Sequence, residues 1–194
     1  MILQEIKDAT RAEHQALEAT VDILGRLGSL EDYRALLARF WGFYAPLEPL
    51  LHGRPEWGER AMDVAGRRKV PLIERDLRDL GATPASLAAL PRCADLPAAA
   101  SFARALGCMY VLEGATLGGQ LISREVRGRL ALTPERGCGF FASYGDQVGP
   151  MWRAFQGWLL RSATDAESAR EMMAGARDTF GAFGAWLRRG EGEH

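Results

Sequence analysis

A histidine near the N-terminus lies on the apolar side of a predicted helix. Residues three or four positions apart share one face of a helix, and the stripe that contains it consists of Leu3, Ile6, Thr10, His14, Leu17, Val21 and Leu24. Imidazole is the commonest metal ligand among side chains. A lone histidine on an apolar face is more often a hydrogen-bonded core residue. The position of His14 therefore leaves metal ligation and a structural role both open.

Glycines concentrate in a later segment that is otherwise typical of a helix. Residues 113–120 are Glu-Gly-Ala-Thr-Leu-Gly-Gly-Gln, and each helical glycine costs about 0.5–1 kcal/mol relative to alanine. Gly114 and Gly118 are four residues apart, and Gly107 lies two turns earlier on the same side. This spacing predicts a strip of bare backbone, against which a flat ligand or another helix could pack equally well. A phosphate-binding loop is disfavoured, because no Gly-Lys-Ser/Thr follows and no strand precedes.

Basic side chains accompany the histidine. Lys7 lies seven residues before His14, two turns away on roughly the same face, and Arg11 is close by. Arg153 lies near the start of a later predicted helix. Most such residues are solvated surface cations, but a large apolar ligand that carries carboxylates would need partners of this kind at the mouth of its pocket.

Composition excludes several other classes of protein. With 24 basic and 25 acidic residues, the formal net charge is -1, so a nucleic-acid partner is not expected. The three cysteines lack C-x-x-C spacing, which favours free thiols over a disulfide framework or a zinc site. His52 ends a predicted helix and His194 is the last residue. The only Glu-x-x-His spacing, at Glu191, falls in the glycine-rich tail, which argues against a di-iron bundle.

The elements that must position these residues are predicted to be helices throughout. Apolar residues recur at helical spacing and β-branched residues are sparse, so an all-α fold is expected. Ser29 can cap the second helix, Gly53 can end it, and Pro46 and Pro49 should kink its last turns. We expect a loop at residues 134–149, with Phe140, Phe141 and Tyr144 available to pack inward. The predicted helices are 3–24, 33–51, 70–80, 98–130, 150–162 and 166–187.

One domain fits the length of 194 residues. We expect it to span residues 1–190, followed by a frayed tail at 191–194. The N-terminus becomes charged too early for a signal peptide, and no apolar run reaches the ~20 residues of a membrane span. A cytoplasmic enzyme without a membrane partner is the expected class.

Three segments together resemble the heme oxygenase family, and closely its bacterial, biliverdin-producing branch associated with bacteriophytochromes. Residues 7–14, Lys-Asp-Ala-Thr-Arg-Ala-Glu-His, are similar to the family's proximal segment. Residues 110–120, Tyr-Val-Leu-Glu-Gly-Ala-Thr-Leu-Gly-Gly-Gln, are similar to its glycine-bearing distal helix, and residues 174–180 resemble its last core helix. The resemblance spans most of the chain and implies the single-domain heme oxygenase-like helical fold.

The resemblance implies a role for each candidate residue. His14 would be the axial ligand of heme iron, and Gly114 and Gly118 would lie at the distal face with Gly119 beside them. The resemblance also implies Lys7 and, through an alignment that requires a short insertion, Arg153 as partners of the heme propionates. Arg11, close to Lys7, is included with them as a candidate for binding heme. Where many members of the family have an aspartate after the first distal glycine, this chain has Ala115, so no proton-delivery residue is carried over.

The implied activity is oxidative cleavage of heme to biliverdin, ferrous iron and carbon monoxide. It would consume dioxygen and electrons from a donor such as a ferredoxin or a reductase, and a bacteriophytochrome could receive the biliverdin. A neutral imidazole allows iron to cycle between ferric and ferrous states while one axial position stays open. Two alternatives remain from the sequence: a non-catalytic heme- or bilin-binding protein of the same fold, and a thiamine-degrading helical enzyme in which His14 is structural.

Overall fold

Helices form the framework of the molecule. The computed structural model describes residues 2–20 and 28–189, and these contain no β-strand. Cys93, Cys108 and Cys138 are buried free thiols, as expected. No helix among the described residues is both long enough and apolar enough to cross a membrane. The α-helices are α1 (Ile2–Ala9), α2 (Arg11–Thr20), α3 (Leu30–His52), α4 (Glu56–Glu59), α5 (Val70–Asp79), α6 (Pro84–Ala88), α7 (Phe102–Leu130), α8 (Gly139–Ala142), α9 (Val148–Ser162) and α10 (Ala166–Arg189).

The ends of α3 confirm the sequence predictions. The Ser29 side chain accepts a hydrogen bond from the backbone N–H of Asp32 at 3.1 Å. At the other end, the Gly53 N–H donates to the Pro49 carbonyl at 3.0 Å. Pro46 and Pro49 both lie inside the helix, and the kink expected from them stays a prediction. Local capping residues therefore locate both ends of this helix.

The N-terminal segment differs from the single helix predicted for residues 3–24. It is divided at Thr10 into α1 and α2. The Thr10 hydroxyl donates to the Ile6 carbonyl at 2.8 Å, which also accepts from the Thr10 N–H at 3.0 Å. A threonine bonded back to the preceding turn bends a helix. The His14 N–H still reaches the Thr10 carbonyl at 2.9 Å. Val21 and Leu24, which complete the predicted stripe, lie outside the described residues, as does the tail at 191–194.

Two further boundaries are corrected by the structure. α7 begins at Phe102 rather than at residue 98, because Ser101 caps it by accepting from the Arg104 N–H at 3.1 Å. The predicted loop at 134–149 contains α8 and a 3₁₀ turn. Buried Asp76 on α5 organises this region by accepting from the N–H groups of Gly139 and Phe140, at 2.9 and 2.7 Å. Phe140 and Phe141 are buried as expected, whereas Tyr144 is half-buried.

The pairing of α7 with α10 is the central packing contact of the fold. A Cβ placed on Gly107 would overlap the Met172 carbonyl, and one on Gly175 would overlap the Arg104 carbonyl. The two backbones can approach this closely only because both positions lack a side chain. α1 and α2 also pack against α10, and α9 packs against α1 and α7. These contacts leave an opening between α1–α2, α7, α9 and α10.

Candidate functional site

A cavity of about 670 Å³ occupies this opening, which is within the range of ~300–1,000 Å³ typical of small-molecule sites. Its wall combines aliphatic and aromatic side chains with a few polar groups from α1, α2, α3, α7, α9 and α10. No Asp or Glu is among the described residues that line it. The cavity therefore suits a large, mostly apolar ligand, and its wall brings no carboxylate close to an anionic group of that ligand.

His14 lies on the α2 wall of the cavity. Its side chain is exposed to the cavity rather than buried in the core, which corrects its expected place on a core-facing stripe. The imidazole packs edge-on against Phe180 of α10, with ring centroids 5.5 Å apart and an angle of 75° between the rings. The other described histidine, His52, is half-buried at the end of α3, and burial lowers its pKa. Only His14 of the two lines the cavity.

The α7 wall of the cavity is formed partly by backbone. Gly114 and Gly118 both line it. A Cβ on Gly118 would meet nothing within 4 Å, and one on Gly114 would lie 3.7 Å from the Trp152 ring. The bare surface at Gly118 therefore faces open space inside the cavity, with room for a ligand to approach the helix backbone.

Two more glycines of α7, Gly107 and Gly119, face different neighbours. Gly107 contacts α10, so it does not extend the strip formed by Gly114 and Gly118. Gly119 is buried, and a Cβ there would lie 3.0 Å from the Phe141 carbonyl. Neither is part of the cavity wall. Helical spacing predicted which glycines lie near one another along α7 but not which surface each one contacts.

The three predicted cations are placed differently. Lys7 and Arg11 both line the cavity. Arg11 forms an ion pair with Asp8, and both side chains are about half exposed or more. Lys7 has no hydrogen bond or ion pair with any described residue. Arg153 is exposed on α9 and is not part of the cavity wall. Of the three cations, Lys7 is therefore the best placed to bind an anionic group of a ligand.

Several cavity residues were not singled out as candidates from the sequence, and four of them are aromatic or polar residues of α3, α7 and α9. Trp152 and Gln156 lie one turn apart on α9, on the face that borders the cavity, and Tyr44 contributes from α3. Tyr110 packs against Trp152 with ring centroids 5.4 Å apart. The spacing of four between Trp152 and Gln156 was available as a signal, since such residues share a helix face. Arg153, one residue further on, was selected for its charge instead.

Directly behind the glycine segment lies a buried cluster of charges. The Glu113 carboxylate forms ion pairs with Arg67 and Lys69, and all three side chains are 2–3% exposed. The Tyr144 hydroxyl donates to Glu113 at 2.8 Å, and burial raises the pKa of that phenol, with the Glu113 charge adding to the effect. Tyr144 is therefore a neutral donor. This cluster joins α7 to the segment before α5, which contains Arg67 and Lys69, and to the segment after α8, which contains Tyr144.

Comparison with known proteins gives consistent matches over the chain. The heme oxygenase family model matches residues 1–189. A heme oxygenase from Xanthomonas campestris is 37% identical over 117 residues, which cover 60% of this chain and 66% of that protein, a little under two thirds of its length. Heme oxygenase PigA of Pseudomonas aeruginosa is 29% identical over 192 residues, covering 96% of this chain and 91% of that protein.

Solved structures agree with these sequence matches. The NO- and CO-bound heme oxygenase from Neisseria meningitidis superposes with a TM-score of 0.81 at 24% identity, covering 97% of this chain and 91% of that chain. Heme oxygenase 2 from Chlamydomonas reinhardtii, crystallised without heme, gives a TM-score of 0.73 at 20% identity and covers 96% of each chain. The all-helical fold is therefore shared with both structures.

Proposed function

The chain belongs to the heme oxygenase family of enzymes, and we propose that it cleaves heme to biliverdin, ferrous iron and carbon monoxide. Dioxygen and electrons from an external donor are the co-substrates. The observation that carries this proposal is the single cavity lined both by the His14 imidazole and by bare backbone at Gly118. An imidazole on one wall and an open helix surface on another suit a planar ligand with one ligated and one accessible face.

Heme fits the chemistry of this cavity. Its apolar ring would match the aliphatic and aromatic wall, and Lys7 and Arg11 of α1–α2 would bind its propionates. Charge-assisted hydrogen bonds of this kind orient a ligand as well as hold it. Asp8, the ion-pair partner of Arg11, is not part of the cavity lining. We exclude Arg153 from the proposed site because it lies outside the cavity wall.

Heme supplies iron for the reduction of dioxygen and is itself the ring that is oxidised. The protein's part is to bind and orient it. His14, packed against Phe180, would hold the iron through a neutral imidazole, which stays bound through changes in iron oxidation state. Gly114 and Gly118 would leave room beside the accessible face for dioxygen and water. With Ala115 in place of an acid, we propose that ordered water carries protons there.

The proposal also includes partner proteins for the reaction. A ferredoxin or a reductase would supply electrons, and a bacteriophytochrome is a candidate receiver of the biliverdin. A cytoplasmic site of action is compatible with both partners. The family assignment favours this activity over the thiamine-degrading alternative, whereas a non-catalytic heme-binding protein differs from it only in turnover.

Titration with hemin followed by addition of a reductant tests the proposal. We expect a saturable heme complex with the absorption spectrum of a histidine-ligated heme, which then yields biliverdin that chromatography identifies. A stable complex that is reduced without forming biliverdin would indicate a binding protein. Absence of any stoichiometric heme complex would contradict the assignment of the cavity itself.

A further inference from the structure

Arg67 links two helices behind the cavity wall. It lies in the 3₁₀ turn Ala65–Arg67, outside the cavity, and its side chain is 2% exposed. One end of the link is Glu113 on α7, and the other is the Met151 carbonyl on α9. We propose that Arg67 is a positioning residue that fixes the separation of α7 and α9 at the cavity. The inference rests on the proposed function, because that separation matters for how heme sits.

The bridge lies next to the point where α7 and α9 meet in the cavity wall. Glu113 immediately precedes Gly114, and Met151 immediately precedes Trp152. In front, the Cβ position of Gly114 is 3.7 Å from the Trp152 ring. Behind, the Arg67 guanidinium forms an ion pair with Glu113 and donates to the Met151 carbonyl from Nη1 and Nη2, at 3.3 and 3.2 Å. One planar guanidinium therefore contacts both helices next to the residues through which they meet in the cavity wall.

Arginine is suited to this role by its geometry. Its planar guanidinium holds several donors in a fixed arrangement, so binding two acceptors fixes the distance between them. The guanidinium also lies over the Trp158 ring of α9, 4.3 Å from the centroid. Arg67 thus contacts α9 over two turns, from the Met151 carbonyl to the Phe155 and Trp158 rings, and contacts α7 at Glu113. Lysine, a single flexible point charge, would not reproduce this arrangement.

The surrounding cluster keeps Glu113 satisfied when Arg67 is replaced. Lys69 donates to Glu113 at 3.2 Å and to the Arg67 carbonyl at 3.1 Å, and its remaining donor reaches the Tyr144 hydroxyl. Burial lowers the pKa of Lys69, and the Glu113 charge opposes that shift. Since Glu113 retains Lys69 and Tyr144, a variant that lacks Arg67 does not leave an unpaired carboxylate in the interior. A folded variant is therefore expected.

Loss of the bridge should loosen one wall of the cavity. α7 and α9 would then be free to separate at Gly114 and Trp152, while His14, on the α2 wall, keeps its surroundings. Heme would still be ligated but would be held in more than one in-plane orientation. Dioxygen would approach the ring where the α7 wall leaves space at Gly118, so the ring carbon that is attacked would depend on that orientation. The biliverdin isomer composition would therefore report on the width of the cavity.

The experiment compares Arg67→Met with Arg54→Met. Arg54 is a matched control, because it also joins a carboxylate to a distant carbonyl, donating to Glu56 at 2.8 Å and to Ala99 at 2.7 Å, and it is not part of the cavity wall. Hydrogen–deuterium exchange of the ligand-free proteins is measured for peptides covering 110–120 and 148–156. The hemin complexes are then examined for their spectra and for the isomers of biliverdin formed. Glu113→Gln is the second variant and keeps the shape of the cluster.

We expect Arg67→Met to exchange several-fold faster in both peptides, to keep the spectrum of the wild-type hemin complex and to broaden the isomer composition. Glu113→Gln should shift both readouts in the same direction by less, and Arg54→Met should leave them at wild-type values. Unchanged exchange and isomer composition in both cluster variants would overturn the inference, as would equal changes in the control. Failure of the wild-type protein to bind hemin would instead overturn the proposed function, while the exchange data would still test the bridge.

Discussion

Two walls of the cavity are built in opposite ways. The α1–α2 wall presents side chains: the imidazole of His14, the ammonium of Lys7 and the guanidinium of Arg11. The α7 wall exposes helix backbone at Gly114 and Gly118, which have no side chain. The chemistry of a functional side chain can be inferred from its residue type, whereas a glycine permits close approach by a helix, a ligand or any other group. The first wall can therefore be interpreted from residue types, and the second needs the packing around each glycine.

α7 itself illustrates this ambiguity. Gly107 and Gly118 are the same residue in the same helix, both predicted to form part of one strip. Gly107 makes room for the backbone of α10, whereas Gly118 borders open space. Each glycine has a similar cost in helix propensity. Packing against α10 offsets this cost at Gly107, and we propose that binding of a ligand offsets it at Gly118. Substitutions can separate the two roles.

The largest expected effect comes from the side-chain wall. His14→Ala removes the only histidine that lines the cavity among the described residues. It also removes the ring contact with Phe180, but other contacts of α2 with α10, such as the bond from Arg177 to Glu13, remain. We expect the hemin complex to lose its histidine-ligated spectrum and its turnover, with a melting temperature close to wild type. His52→Ala is the control. If the His14→Ala protein kept both the histidine-ligated spectrum and turnover, His14 could not be the ligand.

A second large effect is expected on stability, at the packed end of α7. Gly107→Ala places a methyl group onto the Met172 carbonyl, and backbone at a helix crossing has little freedom to move. We expect a loss of about 3 kcal/mol or more in the free energy of unfolding, at the upper end of overpacking costs. Chemical denaturation measures it.

Gly128→Ala is the matched control for that substitution. It lies on the same helix, is exposed and has nothing within 4 Å of its Cβ position. It should gain roughly 0.5–1 kcal/mol from helix propensity. Equal stability of the two variants would mean that Gly107 is not needed for the crossing of α7 and α10.

The smallest expected effect is electrostatic. Lys7→Glu reverses an exposed charge on the cavity wall, so it should weaken hemin binding by about two- to ten-fold, in line with the modest strength of exposed ion pairs. The loss should shrink as salt is added, because screening shortens the range of the interaction. Arg153→Glu changes the same charge outside the cavity wall and should have little effect. If both variants bind alike, the distinction between these two cations is incorrect.

Much of the fold could be predicted because its signals are local. Apolar periodicity located the long helices, and Ser29 and Gly53 marked the ends of α3. The break at Thr10 depends on a side-chain bond to the preceding turn, which periodicity does not register. α8 depends on Asp76, a buried carboxylate that is 63 residues away from Gly139 in the chain. Tertiary contacts of this kind are invisible to a local pattern.

The candidate site shows the same difference between what local sequence signals reveal and what tertiary contacts decide. His14, Lys7, Gly114 and Gly118 lie at the cavity, and the family resemblance had selected all four. The bridge from Arg67 to Glu113 was missed because its partners are 46 residues apart and charged residues are usually on the surface. Gly119 was selected as a neighbour of Gly118, and Arg153 for its charge and through the resemblance, but Gly119 contacts the Phe141 backbone and Arg153 faces solvent.

The most direct test of the account is the biliverdin formed per heme-loaded molecule of Gly118→Val, measured alongside a melting curve. The valine side chain would enter the cavity space that Gly118 borders, where nothing lies within 4 Å of its Cβ position. We predict that hemin still binds with the histidine-ligated spectrum and that the melting temperature stays near that of Gly128→Val, while turnover collapses. Normal turnover per heme-loaded molecule in a protein that melts at a clearly lower temperature would contradict the account, because Gly118 would then serve helix packing alone.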